Sequence, residues 1–518
     1  MFSSIKSFGI SGISSYSVEV ETDISNGMPS FEIVGLPDAA VKESRDRVRS
    51  AIKNCGFTFP VGRITVNLAP ADTKKVGAVY DLAVMLGILS ASNQIKYNFL
   101  DSGFVGELSL KGDIRKVNGV LSMTIKARDM GLKSIIVPFE NRFEAGVIEG
   151  IDVLPVKTFF EVIEHFSGEK IIEPYKSDLS AEGAVELSNL DFFEVKGQPK
   201  AIRACEIAAV GEHNLLLVGP PGSGKSMLAK RMPTILPEMS FEEAIKTTEI
   251  HSIAGVLKSG VALIKQRPFR APHHSVSPHG LSGGGVYPKP GEISLAHNGV
   301  LFLDELPEYD KTALEILRQP LEDRSVTVSR VAGSVTFPSS FMLIAAMNPC
   351  KCGYRGHPTR PCTCTDAAAQ RYVNRISGPL LDRFDMQVEI NAVKFEDISA
   401  SPSGEHSESI KARILEAIEF RNKRLEALPN NILEKNRDNF SSSRLTPQLL
   451  ELTCKITDDA KKSLAMIFDR TGLSARAYDK ILKVSRSIAD IDKSEDITED
   501  HIFEAVQYRN LDRKYFSR

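Results

Sequence analysis

No stretch constrains this chain more than Gly219-Pro220-Pro221-Gly222-Ser223-Gly224-Lys225-Ser226. It follows the apolar run Leu215-Leu216-Leu217-Val218 and leads into Met227-Leu228-Ala229-Lys230, which reads as helix, so a buried strand must turn into a helix through a glycine loop. Such a turn aims successive backbone N–H groups at one point, where the helix N-terminus adds its positive end. Phosphate fits that geometry. Lys225 is expected to reach the β- and γ-phosphates and the Ser226 hydroxyl to ligate magnesium, which makes ATP and Mg²⁺ the expected cofactors.

A chain of 518 residues is too long for one ordinary core and predicts about three domains. Its 42% hydrophobic and 25% charged residues match a globular protein, and no apolar run approaches the ~18 residues of a membrane span, so no membrane insertion is expected. The first residues carry no signal-peptide pattern, which places the seven cysteines in a reducing cytoplasm. A net charge of -2 leaves any binding of nucleic acid to local basic loops.

Residues 1–167 mix short strands (Ser17 to Glu21, Ile64 to Leu68, Ser134 to Val137) with an amphipathic helix from Asp38 to Asn54, an α+β pattern. A polar linker, 168–190, precedes a core over 191–394, in which near-continuous apolar strands at 215–218, 300–303 and 341–347 predict a parallel sheet. Residues 395–518 read as a charged helix, Glu408 to Leu428, then a helical bundle with a break at Gly472 and a start near Thr498.

The strand Val300 to Leu303 delivers Asp304 and Glu305 at its C-terminal tip, where open α/β sheets bind ligands. Asp304 is expected to hold magnesium and Glu305 to polarise the attacking water. The strand ending at Met347 offers the Asn348 amide to that water or to the γ-phosphate. Together with Gly378-Pro379-Leu380-Leu381-Asp382-Arg383-Phe384-Asp385, these elements resemble the AAA+ ATPase core of the magnesium-chelatase clade. That resemblance implies that Arg383 is an arginine finger for a neighbouring subunit, that Arg476, in Ser474-Ala475-Arg476, is a sensor contacting the phosphates, and that the subunits form a ring, a hexamer by family habit.

The segment Lys265 to Gly291 has no Asp or Glu but carries Lys265, Arg267, Arg270, Lys289, His273, His274 and His279. It reads as an exposed loop, and the resemblance equates it with an insert facing the ring pore, where it would meet DNA. Val326 to Thr336 reads as a hairpin with Arg330 at its turn. Cys350-Lys351-Cys352 and Cys362-Thr363-Cys364 are candidate zinc ligands, with His357 a possible substitute for one. The loop's Lys351, Arg355 and Arg360 face no acid before Asp366.

Gly106 to Gly112, Asn118-Gly119-Val120 and Gly131 to Pro138 resemble the Lon protease domain. Active members need a Ser–Lys pair, yet the segment equivalent to the nucleophile turn, Lys74 to Asp81, has no serine, and Leu121 stands at the lysine position. A Lon-like fold without proteolysis is expected. The whole order, with Met28 to Pro37, resembles the ComM/YifB-type magnesium-chelatase-like proteins, which implies an ATP-driven ring migrating DNA branches in recombination and natural transformation, on branched or single-stranded DNA. A motor for magnesium insertion into a porphyrin and a nucleotide-gated scaffold are the alternatives.

Overall fold

The computed structural model describes the chain apart from residues 179–189, 331–332, 358, 393–403, 436–439, 472–473, 512–514 and 516–518. The helix break expected at Gly472, residues 179–189 of the expected linker and the boundary at 394 lie outside the described residues.

In the N-terminal part, alternation of side chains produces a sheet with one buried face. In Arg63–Ala69, for example, Ile64, Val66 and Leu68 are buried while the residues between them are not. Seven strands assemble, in spatial order Ser30–Val34, Arg63–Ala69, Ser14–Ser25, Phe2–Ser11, Ser102–Phe104, Ser134–Pro138 and Asp152–Val156. The helix Asp81–Ala91 is apolar all round and almost wholly buried, so it shows no amphipathic period, and it packs on the two longest strands. Its Asp81 is buried and receives the Arg47 guanidinium at 2.9 Å. The helix Ala39–Asn54 starts on Asp38, which accepts from Val41 N at 2.8 Å.

The central part is a five-stranded, all-parallel sheet in the order Phe269–Arg270, Val300–Leu303, Met342–Met347, Leu215–Val218, Met386–Glu389. Helices cover the sheet, and the apolar runs of 215–218 and 342–347 are buried throughout. The C-terminal part is helical: Ser407–Glu426, Pro447–Thr453, Asp458–Thr471, Ala475–Ile491 and Glu499–Gln507. The helix Ala475–Ile491 packs against Pro199–Gly211, and its Ile481, Val484, Ile488 and Ala489 belong to the hydrophobic cluster the two share. The protein is thus mixed α/β with a parallel core sheet and a helical C-terminal region. Among the described residues no helix is long and apolar enough to cross a membrane.

The helix Phe241–Ala254, which opens on a Ser240/Glu243 capping box, ties the core to the N-terminal sheet. Its Glu249 accepts from Ser122 Oγ at 3.0 Å, and its Ser252 accepts from Gly119 N at 3.0 Å while donating to the buried Glu144. Asn141 Nδ2 donates to Glu144 at 2.6 Å, and Lys116 Nζ reaches Leu257 O at 3.3 Å. Burial raises the Glu144 carboxyl above the ordinary range, against the pull of Ser252, Asn141 and Lys116. A raised folded pKa means the ionised carboxylate costs stability above the unfolded pKa, and that cost fades as pH falls. Glu144→Gln removes it, so the melting temperature of the variant relative to the wild type should become more favourable from about pH 5 to about pH 8. A difference that is flat or reversed across that range would show that Glu144 is protonated or well paired throughout.

Candidate nucleotide site at the rim of the parallel sheet

Register brings the rim together. Val218 pairs with Met347 and Leu303 with Ala345, so Gly219, Asn348 and Asp304 leave neighbouring strands at the same end of the sheet. Gly219 N donates to Met347 O at 3.1 Å, and a Cβ on Gly219 would stand 2.3 Å from Ile390 O. Gly222 and Gly224 adopt left-handed conformations, with φ of 75° and 92°, and Gly224 caps the helix Lys225–Ile235. A side chain is blocked by contact at Gly219 and disfavoured by backbone conformation at Gly222 and Gly224.

Lys225 is folded back onto the loop. Its Nζ donates to Gly219 O and Pro220 O at 2.8 Å each and to Asn348 Oδ1 at 3.2 Å. Burial pulls its pKa down to about 8, while the carboxylates of Asp304 and Glu305 pull it back up. Ser226 Oγ donates to Asp304 Oδ2 at 2.5 Å. A hydroxyl and a carboxylate meeting at a phosphate cradle form a hard oxygen donor set that fits magnesium. Ser223 is buried beneath the loop, and Pro221 packs against Gly353 of the cysteine loop.

Glu305 holds a left-handed conformation, φ 53°, which a non-glycine residue adopts at a cost of about 1–3 kcal/mol. Its carboxylate lies 3.4 Å from His274 Nδ1. The Tyr309 hydroxyl donates to Pro272 O at 2.6 Å and so fixes the chain just before His273-His274. The His274–Glu305 pairing escaped sequence reasoning, because nothing local in a glycine- and proline-rich segment shows where it turns back onto the sheet.

That segment needs correction in two respects. It is not all loop, since Phe269–Arg270 forms the edge strand of the core sheet. Nor are all its cations available to a partner. Arg267 donates to Pro237 O at 2.7 Å and Asn298 O at 2.9 Å, and Arg270 grips Glu292 with two bonds of 2.7 Å. The hairpin forms as Ser325–Arg330 with Gly333–Pro338, its turn residues 331–332 lying outside the described residues. Arg330 Nη2 stands 3.0 Å from His279 Nδ1, which joins hairpin and insert. Both border a cavity of about 560 Å³ against the N-terminal sheet, lined by Lys74, Lys116, Asn118, Tyr287, Lys289 and Val335 among others. Leu121 is fully buried, and Lys75 is buried with its Nζ on Thr73 O at 2.8 Å, so neither offers a base to that cavity.

Arg383 and Arg476 lie elsewhere. They line one cavity of about 300 Å³ with Arg324, Arg444, Lys480 and Glu322, and no residue of the Gly219–Ser226 loop borders it. Arg383 is paired with Glu322, and Arg476, largely exposed, has Nη1 3.9 Å from Asp382 Oδ2. The phosphate contact expected of Arg476 is therefore not made at the chain's own loop. The reason is packing: Lys480, one turn along from Arg476, donates to the Asp382 and Phe384 carbonyls and holds the helix over the Arg383 turn. Sequence reasoning missed Lys480, which no motif marks.

The four cysteines do cluster, their Sγ atoms all within 4.8 Å of one another. His357 is not among them. Its Nδ1 accepts from Arg360 N at 3.0 Å instead. Arg355 is paired with Asp366 at 3.0 Å and Arg360 lies over the Tyr354 ring.

Three family models match stretches of the chain. Residues 191–398 match "Magnesium chelatase, subunit ChlI", residues 20–141 match "Subunit ChlI of Mg-chelatase", and residues 404–509 match "Magnesium chelatase, subunit ChlI C-terminal". The competence protein ComM of Haemophilus influenzae is 41% identical over 97% of this chain and 96% of its own length. YifB of Escherichia coli strain K12 is 43% identical over 97% of this chain and 96% of its own. The magnesium-chelatase 67 kDa subunit of Chlorobaculum parvum, at 29% identity, covers 30% of this chain. With its sheet order, its glycine cradle and these relatives in view, the chain belongs to the ComM/YifB-type magnesium-chelatase-like family of AAA+ proteins.

Proposed function

We propose that this chain is an ATP-hydrolysing motor that works as a ring, a hexamer by family resemblance, and migrates branched DNA during recombination in the cytoplasm. The observation that carries this reading is the split site: the phosphate cradle with Lys225, Asp304, Glu305 and Asn348 at one rim, and Arg383 with Arg476 in a separate cavity. Copies stacked around a ring would bring the second set to the first.

Bound magnesium would supply positive charge to the phosphate oxygens, held by Ser226 and through Asp304. Lys225, released from Gly219 O and Pro220 O, would turn to the phosphates. Glu305, oriented by His274, would draw a proton from the attacking water, and Asn348 would hold that water in line. Arg383 from the neighbour would meet charge developing in the transition state, an effect worth about 10³–10⁵ in turnover. Cycles of this kind would move the insert and the hairpin, whose joined Arg330 and His279 are the candidate DNA contacts. The name of the Haemophilus relative, a competence protein, supports work on DNA taken up in natural transformation.

ATP-dependent migration of a four-way DNA junction by the purified protein tests the reading. The wild type should migrate it. Lys225→Ala should fail through lost nucleotide binding, and Glu305→Gln should bind ATP but turn over about 10²–10⁴-fold more slowly. Wild-type ATPase indifferent to every DNA tried would remove DNA from the proposal. Affinity for duplex DNA should fall with salt at a log–log slope of about -0.9 per phosphate neutralised, and Arg330→Ala should reduce that slope by about one contact. An unchanged slope would remove Arg330 from the interface.

A further inference from the structure

The cysteine loop stands where metal chemistry meets the nucleotide cradle. Its Sγ–Sγ separations are 3.4 Å for Cys350 and Cys352, 3.6 Å for Cys350 and Cys362, and 3.5 Å for Cys352 and Cys362. A tetrahedral zinc with bonds of about 2.3 Å spaces its sulfurs about 3.8 Å apart. A disulfide would bring two of them to about 2.05 Å, and all four cysteines are free. Cys364 N lies 3.4 Å from Cys362 Sγ, and all four Sγ atoms lie within 4.8 Å of one another.

The loop has little else to hold it. From Cys350 to Thr365, Cys350 is the one side chain fully buried among the described residues other than the glycine Gly353. Yet its placement bears directly on the cradle. Cys350 follows Asn348 with only Pro349 between them, and the Asn348 Oδ1 accepts from Lys225 Nζ at 3.2 Å. Gly353 has φ +85° and sits so close to the cradle that a Cβ there would stand 2.5 Å from Pro221 Cδ.

We propose that zinc bound by Cys350, Cys352, Cys362 and Cys364 clamps Asn348 and Pro221 in place, so that nucleotide binding depends on the metal. The proposal rests on the ATP reading of the cradle. Without zinc, a loop with almost no buried side chains loses its tie, Gly353 parts from Pro221, and Asn348 no longer meets Lys225.

Zinc analysis of the full chain, paired with titration of a fluorescent ATP analogue, tests it. One zinc per chain is expected. Removing it with a strong chelator should weaken analogue binding at least about tenfold, the scale expected when binding groups shift by part of an ångström, and added zinc, not added magnesium, should restore it. Cys364→Ala, in the half of the loop farther in sequence from Asn348, should lose both zinc and affinity. Gly353→Ala keeps all four thiols, so it should retain zinc and still bind the analogue more weakly, which separates the clamp from general unfolding. Absence of zinc overturns the site. Analogue binding indifferent to zinc removal, or unaffected by Gly353→Ala, overturns the coupling alone. Zinc retained with no nucleotide bound by the wild type overturns the coupling together with the ATP reading.

Discussion

The register between two buried strands is what the rest of this molecule depends on. Because Val218 lies opposite Met347, the chain leaves the sheet as Gly219 on one strand and Asn348 on the next, and the Gly219 N–H is tied to Met347 O at 3.1 Å. A slip of one residue would exchange the two faces of one strand and shift its tip along the other by one residue. It would also carry Asn348 away from Lys225. The same strand continues into Cys350 and the thiol cluster, so the placement of the glycine cradle, the Asn348 amide and the cysteine loop follows from one register.

A second arrangement is built by the helical C-terminal part. Lys480 and Arg509 both donate to the Phe384 carbonyl, and the buried His213 Nε2 lies 2.8 Å from Ser487 Oγ while His213 Nδ1 stands 3.7 Å from Asp385. The Arg383 turn is thus fixed by helices that follow it in sequence. The glycine cradle and the Arg383 turn rest on separate supports, and no residue of the 219–226 loop borders the cavity that Arg383 lines. In the ring proposed above, a change in how the helical part sits would move Arg383 relative to the neighbouring subunit.

The gathering of Gly219, Asp304 and Asn348 at one rim was legible because its signals are local: a glycine loop after an apolar strand, and two acids at the tip of another. The hairpin was legible from alternation, and the cysteines from their spacing. The helix Asp81–Ala91 was not, since burial on every side erases the period that marks a helix. The edge strand Phe269–Arg270 was hidden among prolines and glycines that read as loop. Arg267 and Arg270 looked available to DNA because their acceptors, Pro237 O, Asn298 O and Glu292, are contributed by the fold. The position of Arg476 beside Arg383 was out of reach for the same reason: it follows from how one helix packs, and residue spacing carries no trace of that.

A subunit-mixing experiment tests the shared site most directly. Lys225→Ala lacks a working cradle and keeps its finger, whereas Arg383→Ala keeps its cradle and lacks the finger. Each alone should be nearly inactive as an ATPase, and mixing the two should restore turnover at interfaces that join an intact cradle to an intact finger. A mixture as inactive as its components, or an Arg383→Ala protein that hydrolyses ATP at the wild-type rate by itself, would contradict a site completed by the neighbouring subunit.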